Sequence, residues 1–124
     1  MKTILVDGMH CIYDEEFNVN EELLGIVNSF DAAKILVVKG FRGKGRAALD
    51  GNGFEAFSLE EEGIGKDSPK YFERLLQKFG LKPDEVVFFD HKESSVEAAR
   101  EVGIVSKYYV NNEGIKKFLK GMLG

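Results

Sequence analysis

Apolar and polar positions along this chain fall into blocks with two different periods. Five short runs, at 3–6, 35–38, 54–57, 86–89 and 105–110, are dominated by apolar residues. The second and fourth are apolar at every position, as strands buried on both faces are. The run at 54–57 is shorter and alternates, which suits an edge strand. Between the runs, apolar residues recur every three or four positions. Leu23, Ile26, Val27 and Phe30 follow the capping residue Asn20, with Glu21 and Glu22 placed in the first turn of a helix. Residues 44–49 suit a short helix. Ser68-Pro69 reads as an N-cap and first helical position; Phe72, Leu75, Leu76 and Phe79 then share one face, and Gly80 stops the helix. Val96, Ala99 and Val102 mark a further helix opened by Ser94 or Ser95 and ended by Gly103. Ile115, Phe118, Leu119 and Met122 mark the last, opened by Asn111 or Asn112.

The order is therefore β-α-β-α-β-α-β-α-β-α. Repeated right-handed βαβ crossovers predict an α/β fold: a three-layer α/β/α, Rossmann-like domain with a five-stranded parallel sheet. Residues 1–124 read as a single domain, since the glycine-rich stretch at 40–53 is too short for a second one. Open α/β sheets bind ligands beyond the carboxyl ends of their strands. That rule selects Asp7 after the first strand, Lys39 after the second, Lys66 before the helix that follows the third, and Asp90 after the fourth.

Composition narrows the class. At 124 residues, with 44% hydrophobic and 31% charged positions, the chain is long enough for one core and is not of the disordered type. A formal net charge of −4 argues against general nucleic-acid binding. Arg42, Lys44 and Arg46 form a local basic loop, most simply a solvated turn, with an anion-binding rim as the sharper reading. No apolar run approaches the roughly 20 residues of a membrane helix, and MKTILVDG turns polar too soon for a signal peptide. The single cysteine, Cys11, has no intramolecular disulfide partner. A cytoplasmic protein is expected.

The stretch from Gly65 to Ile104, GKDSPKYFERLLQKFGLKPDEVVFFDHKESSVEAAREVGI, resembles the second half of the haloacid dehalogenase (HAD) superfamily, most of whose members are phosphatases and phosphotransferases. ILVDGMHCIYD stands where that family has an apolar strand followed by Asp-x-Asp and Thr. ILVVKG stands where it has a strand ending in Ser or Thr. The resemblance implies a HAD-like phosphohydrolase acting on a phosphorylated substrate. Asp7 would be the nucleophile and a metal ligand, Lys66 the cation that stabilises the transferring phosphoryl group, and Asp90 a metal ligand. The Met9 carbonyl and Glu93 would complete a magnesium site, and Lys39, Gly40 and Arg42 would contact substrate. The pattern also departs from the family. Met9 occupies the acid/base position and moves no proton, Cys11 replaces threonine, and Lys39 replaces the hydroxyl residue. Impaired or altered catalysis is therefore one expectation.

The alternative is a catalytically inactive binding or regulatory module with a protein partner and no cofactor, in which Lys39 pairs with Asp7 and takes the place of the metal. No cap domain fits between the elements, and capless members of the family leave the site open to large substrates or close it with a neighbouring copy in a homo-oligomer. Asp7, His10, Asp90 and His91 also offer mixed ligands suited to zinc. A phospho-receiver domain has this length, but Phe57-Ser58-Leu59 supplies no aspartate after the third strand. The family's founding dehalogenase activity dispenses with the second aspartate and the metal, but normally buries its substrate under a cap.

Overall fold

The computed structural model describes residues 2–40 and 42–124; Phe41 and the Arg42 side chain lie outside the described part. Strand β1 (Thr3–Asp7) is buried along its whole length, as is β4 (Val86–Asp90). With β2 (Ala33–Val37), β3 (Phe54–Phe57) and β5 (Val105–Tyr108) they form one parallel sheet in the order β3-β2-β1-β4-β5. This is the predicted α/β/α architecture, and β3 is an edge strand as its alternation suggested.

Side-chain alternation assigns the two faces. Ile4, Val6, Leu36, Val87 and Phe89 point into one cluster, closed by α1 (Glu21–Asn28) and α5 (Asn112–Leu123). Leu5, Ile35, Val37, Val86 and Phe88 point into the other, closed by α3 (Pro69–Phe79) and α4 (Glu93–Glu101). Asp7 continues the parity of Leu5, and Asp90 that of Phe88. Because β1 and β4 pair with Leu5 opposite Phe88 and Val6 opposite Phe89, the two carboxylates emerge side by side. The chain works outward from β1 through β2 to β3, then crosses back to β4. The β1–β4 seam is thus the point where strand order reverses, and crevices form at such seams.

Local chemistry sets the helix ends. Asn20 accepts the Leu23 N–H at 3.2 Å, Ser68 accepts that of Lys70 at 3.3 Å, and Asn111 accepts that of Gly114 at 2.8 Å, each satisfying an orphan donor of a first turn. Gly80 closes α3 in the left-handed region at φ 63°. Helix α4 begins at Glu93 rather than at either serine, because Asp90 Oδ1 accepts the Lys92 N–H at 2.9 Å and so forms the turn from the strand side. On the α3 side, the buried Tyr71 hydroxyl lies 2.9 Å from the Val38 carbonyl and 2.8 Å from that of Phe57, and accepts the Val38 N–H at 3.1 Å. It ties the ends of β2 and β3 to the helix that follows Lys66.

Helix α2 (Arg42–Ala48) approaches the chain after β1 through a glycine. A Cβ on Gly45 would overlap the Tyr13 hydroxyl and lie 2.9 Å from Tyr13 Cζ and 3.2 Å from Leu36 Cδ2. The Tyr13 ring is buried and has nowhere to retreat. Gly45→Ala is expected to destabilise the protein by about 1–3 kcal/mol of overpacking, although alanine is the better helix former by about 1 kcal/mol. A urea denaturation midpoint that rises in this variant would contradict the packing described.

Candidate active site

The side chains of Asp7 and Asp90 are almost wholly inaccessible to solvent. Two basic side chains each reach both carboxylates. Lys66 enters from the loop before α3; its Nζ is hydrogen-bonded to Asp7 Oδ1 and lies 2.8 Å from Asp90 Oδ2. The contact with Asp90 Oδ2 is held by charge, since no donor is aligned on that buried oxygen as a hydrogen bond. His91 directly follows β4, and its Nδ1 lies 2.6 Å from Asp7 Oδ2 and 3.2 Å from Asp90 Oδ1. The His91 backbone N–H adds a 3.4 Å bond to Asp7 Oδ2. All four carboxylate oxygens therefore have a nitrogen partner.

These contacts separate the two acids. Burial opposes ionisation of Asp7, but the Lys66 charge and hydrogen bonds from His91, Lys66 and Cys11 outweigh it, and the carboxyl is held down to about 2. Burial and the neighbouring Asp7 charge push Asp90 up, with Lys66 only partly compensating. Burial also opposes the charge on Lys66, yet the two aspartates raise its pKa above the usual lysine value. The hydrogen bond to Asp7 raises His91 against the pull of burial. At neutral pH the cluster holds an ionised Asp7 against an ammonium, as a carboxylate nucleophile requires.

Cys11 lies in the turn after β1, which is pinned by Cys11 N–H to the Gly8 carbonyl at 3.3 Å and Ile12 N–H to the Asp7 carbonyl at 3.3 Å. Its thiol is buried within 4.8 Å of an Asp7 oxygen and a His91 ring nitrogen, and burial together with the charges of Asp7 and Asp90 drives its pKa far up, so it is a neutral thiol. Met9 is half-buried against the apolar cluster on the α1 side.

The structure thus brings together four of the sequence candidates: Asp7, Lys66, Asp90 and, from the mixed metal-ligand set, His91. The expected ion pair between Lys39 and Asp7 does not form. Strand β2 ends at Val37, the Lys39 side chain is exposed, and Lys66 occupies the position between the carboxylates. Gly40 faces the Glu60 carboxylate, where an added Cβ would sit 2.9 Å from Oε1; this is an acidic neighbour for a candidate substrate contact. Arg42, the third such candidate, has its side chain outside the described part. Glu93 is exposed on the first turn of α4 and stands apart from the cluster. His10 is exposed and edge-on to His91, with ring centroids 5.1 Å apart, and lies 3.6 Å from Glu15. The sequence reading undervalued His91 and Cys11. The available signal was adjacency: one directly follows Asp90, and the other stands four residues after Asp7.

The fold is haloacid dehalogenase-like. Similar solved structures include a protein from Corynebacterium glutamicum, with a TM-score of 0.76 and 21% identity over 100% of this chain and 96% of that one. A HAD-superfamily hydrolase from Ehrlichia chaffeensis matches with a TM-score of 0.66 and 13% identity over the whole of both chains. A HAD family enzyme from Bacteroides thetaiotaomicron, in complex with magnesium and inorganic phosphate, matches with a TM-score of 0.65 and 15% identity over 89% of this chain and 94% of that one. No family model and no curated protein sequence matches the chain. Among the described residues no helix is long and apolar enough to cross a membrane.

The residues present do not fit the family's magnesium site. Magnesium demands oxygen ligands in near-octahedral geometry. Here nitrogen donors occupy the carboxylate oxygens, an imidazole and a thiol line the space, and Glu93 is exposed on α4.

Proposed function

We propose that the protein is a HAD-like phosphohydrolase in which Asp7 is the nucleophile and whose second half-reaction is slow. The observation that carries this reading is the buried, ionised Asp7 carboxylate held against Lys66 at the β1–β4 seam. The relative crystallised with magnesium and inorganic phosphate supports phosphate as the class of ligand. An Asp7 oxygen attacks phosphorus, the Asp7–phosphorus bond forms, and the bond to the leaving oxygen breaks. The Lys66 ammonium sits between Asp7 Oδ1 and Asp90 Oδ2, and its 3.5 Å bond to the Val37 carbonyl is long enough for one N–H to turn to a phosphoryl oxygen as charge develops there. Lys66 supplies positive charge at the site, and His91, whose pKa its hydrogen bond to Asp7 raises, adds to it when protonated. Met9 has no proton to give to the leaving group or to take from water. Donors with good leaving groups should therefore react, and the acyl phosphate should persist.

The test is intact-mass spectrometry of the full chain after exposure to acetyl phosphate. One phosphoryl adduct per chain is expected, and it should be absent from Asp7→Asn. Failure of the wild type to label, or labelling of both proteins alike, removes Asp7 as a nucleophile. The binding-module reading would then stand, with Lys66 and His91, rather than Lys39, neutralising the carboxylates.

A further inference from the structure

Beside the Asp7 carboxylate stand two groups that are not needed for its attack on phosphorus: the buried Cys11 thiol, and the His91 ring, whose Nδ1 lies 2.6 Å from Oδ2. The three ligand-capable atoms, a carboxylate oxygen, Cys11 Sγ and a ring nitrogen, all lie within 4.8 Å of one another. We infer that Asp7, Cys11 and His91 form a binding site for a late first-row divalent ion of the zinc type, with the fourth position left to solvent.

Geometry comes first. Around a tetrahedral zinc ion with ligands at about 2.0–2.3 Å, neighbouring ligand atoms stand roughly 3.3–3.6 Å apart. The 2.6 Å contact between His91 Nδ1 and Asp7 Oδ2 must open by roughly 1 Å, and the widest separation in the group must close by a similar amount. His91 lies in a turn and keeps partial solvent access, so it can make the adjustment and admit the ion. Asp7 and Cys11 are set by the end of β1 and by the hydrogen-bonded turn behind it, which provides a rigid floor.

Charge comes next. In the metal-free chain the Cys11 thiol and the His91 ring flank one carboxylate. A dication can take the place of two protons: from the imidazolium form, the thiol and Nδ1 protons pass to solvent while Nε2 keeps its own, sulfur and Nδ1 coordinate, and the buried charge is conserved. Lys66 remains on the other oxygen, Asp7 Oδ1, and need not move. Asp90 stands beside the ring, with Oδ1 3.2 Å from His91 Nδ1, so a second carboxylate flanks an arriving cation. Ligand chemistry then selects the ion. Thiolate and imidazole with one carboxylate suit zinc, cobalt or copper and exclude magnesium and calcium. Occupancy would engage the same carboxylate that attacks phosphorus, so the metal-loaded chain would be the unreactive form. The site does not depend on that reaction being present.

Cobalt(II) titration of the full chain under reducing conditions tests the site without any activity assay. Expected are one ion per chain, a near-ultraviolet thiolate-to-cobalt charge-transfer band, the intense visible bands of four-coordinate cobalt, and displacement by zinc but not by excess magnesium. Cys11 is the sole cysteine, so the charge-transfer band in the wild type identifies its ligand directly. His91→Gln, a change at a partly exposed position, should weaken cobalt binding by at least about 10-fold. Absence of the thiolate band, unchanged affinity in His91→Gln, or displacement of cobalt by magnesium would each overturn the proposal.

Discussion

Replacing Lys66 with methionine is expected to destabilise the folded protein by about 3–5 kcal/mol at pH 7, the range seen when one partner is removed from a buried ion pair. Lys66 neutralises two carboxylates at once, through Asp7 Oδ1 and Asp90 Oδ2, and both acids lie at the centre of the sheet with no access to water. Without the ammonium, His91 alone faces both charges. The pH dependence has a definite sign. Asp7 is depressed from 3.8 to about 2 in the fold, so its contribution is present above 3.8 and fades as pH falls through about 2. The variant loses that contribution. The gap between the two proteins should therefore be full at neutral pH and close on acidification, as the carboxyls take up protons. Urea unfolding at pH 7 and near pH 2 measures this. A loss below about 1 kcal/mol at pH 7 would mean that the cluster is screened like a surface pair.

Replacing Met9 with aspartate is expected to convert stoichiometric labelling of Asp7 into turnover, with the acyl phosphate decaying about 10²–10⁴ times faster, the usual contribution of one positioned acid/base group. Position 9 is half-buried, so a carboxylate there keeps its hydration and does not become another uncompensated charge in the core. The turn it belongs to is fixed by the bridge between Met9 and Tyr13 and by the His10 N–H bond to the Tyr13 carbonyl at 2.8 Å, so the new group should hold its place. The measurement is the decay of the labelled species by mass spectrometry in Met9→Asp and in the wild type. Equal lifetimes would show that water attack is limited elsewhere, and Met9 would not be the reason for a slow second step.

Much of this architecture could be read from periodicity and punctuation. Ile35 to Val38 and Val86 to Phe89 are apolar at consecutive positions because both faces of their strands are covered, and a code that local lies open in the sequence. Asn20, Ser68, Gly80 and Asn111 act within three residues of themselves and were legible for the same reason. The start of α4 was misplaced because its turn is made by Asp90, a residue of the preceding strand, and not by the nearby serines.

The site divides along the same line. The amino-acid sequence by itself determined that Asp7 and Asp90 end buried strands, that Lys66 precedes a capped helix, and that the sheet is parallel, since each follows from short-range pattern and chain order. Only the tertiary structure decided which cation meets the carboxylates. Lys39 and Lys66 are equally basic in the sequence, but β2 stops two residues before Lys39 and releases it to solvent, whereas the loop before α3 delivers Lys66 between the two acids. It also decided that a histidine and the sole cysteine share Asp7. Contacts between residues 7 and 91 depend on strand pairing across 84 positions, and a long-range pairing leaves no periodic trace in the residues it joins.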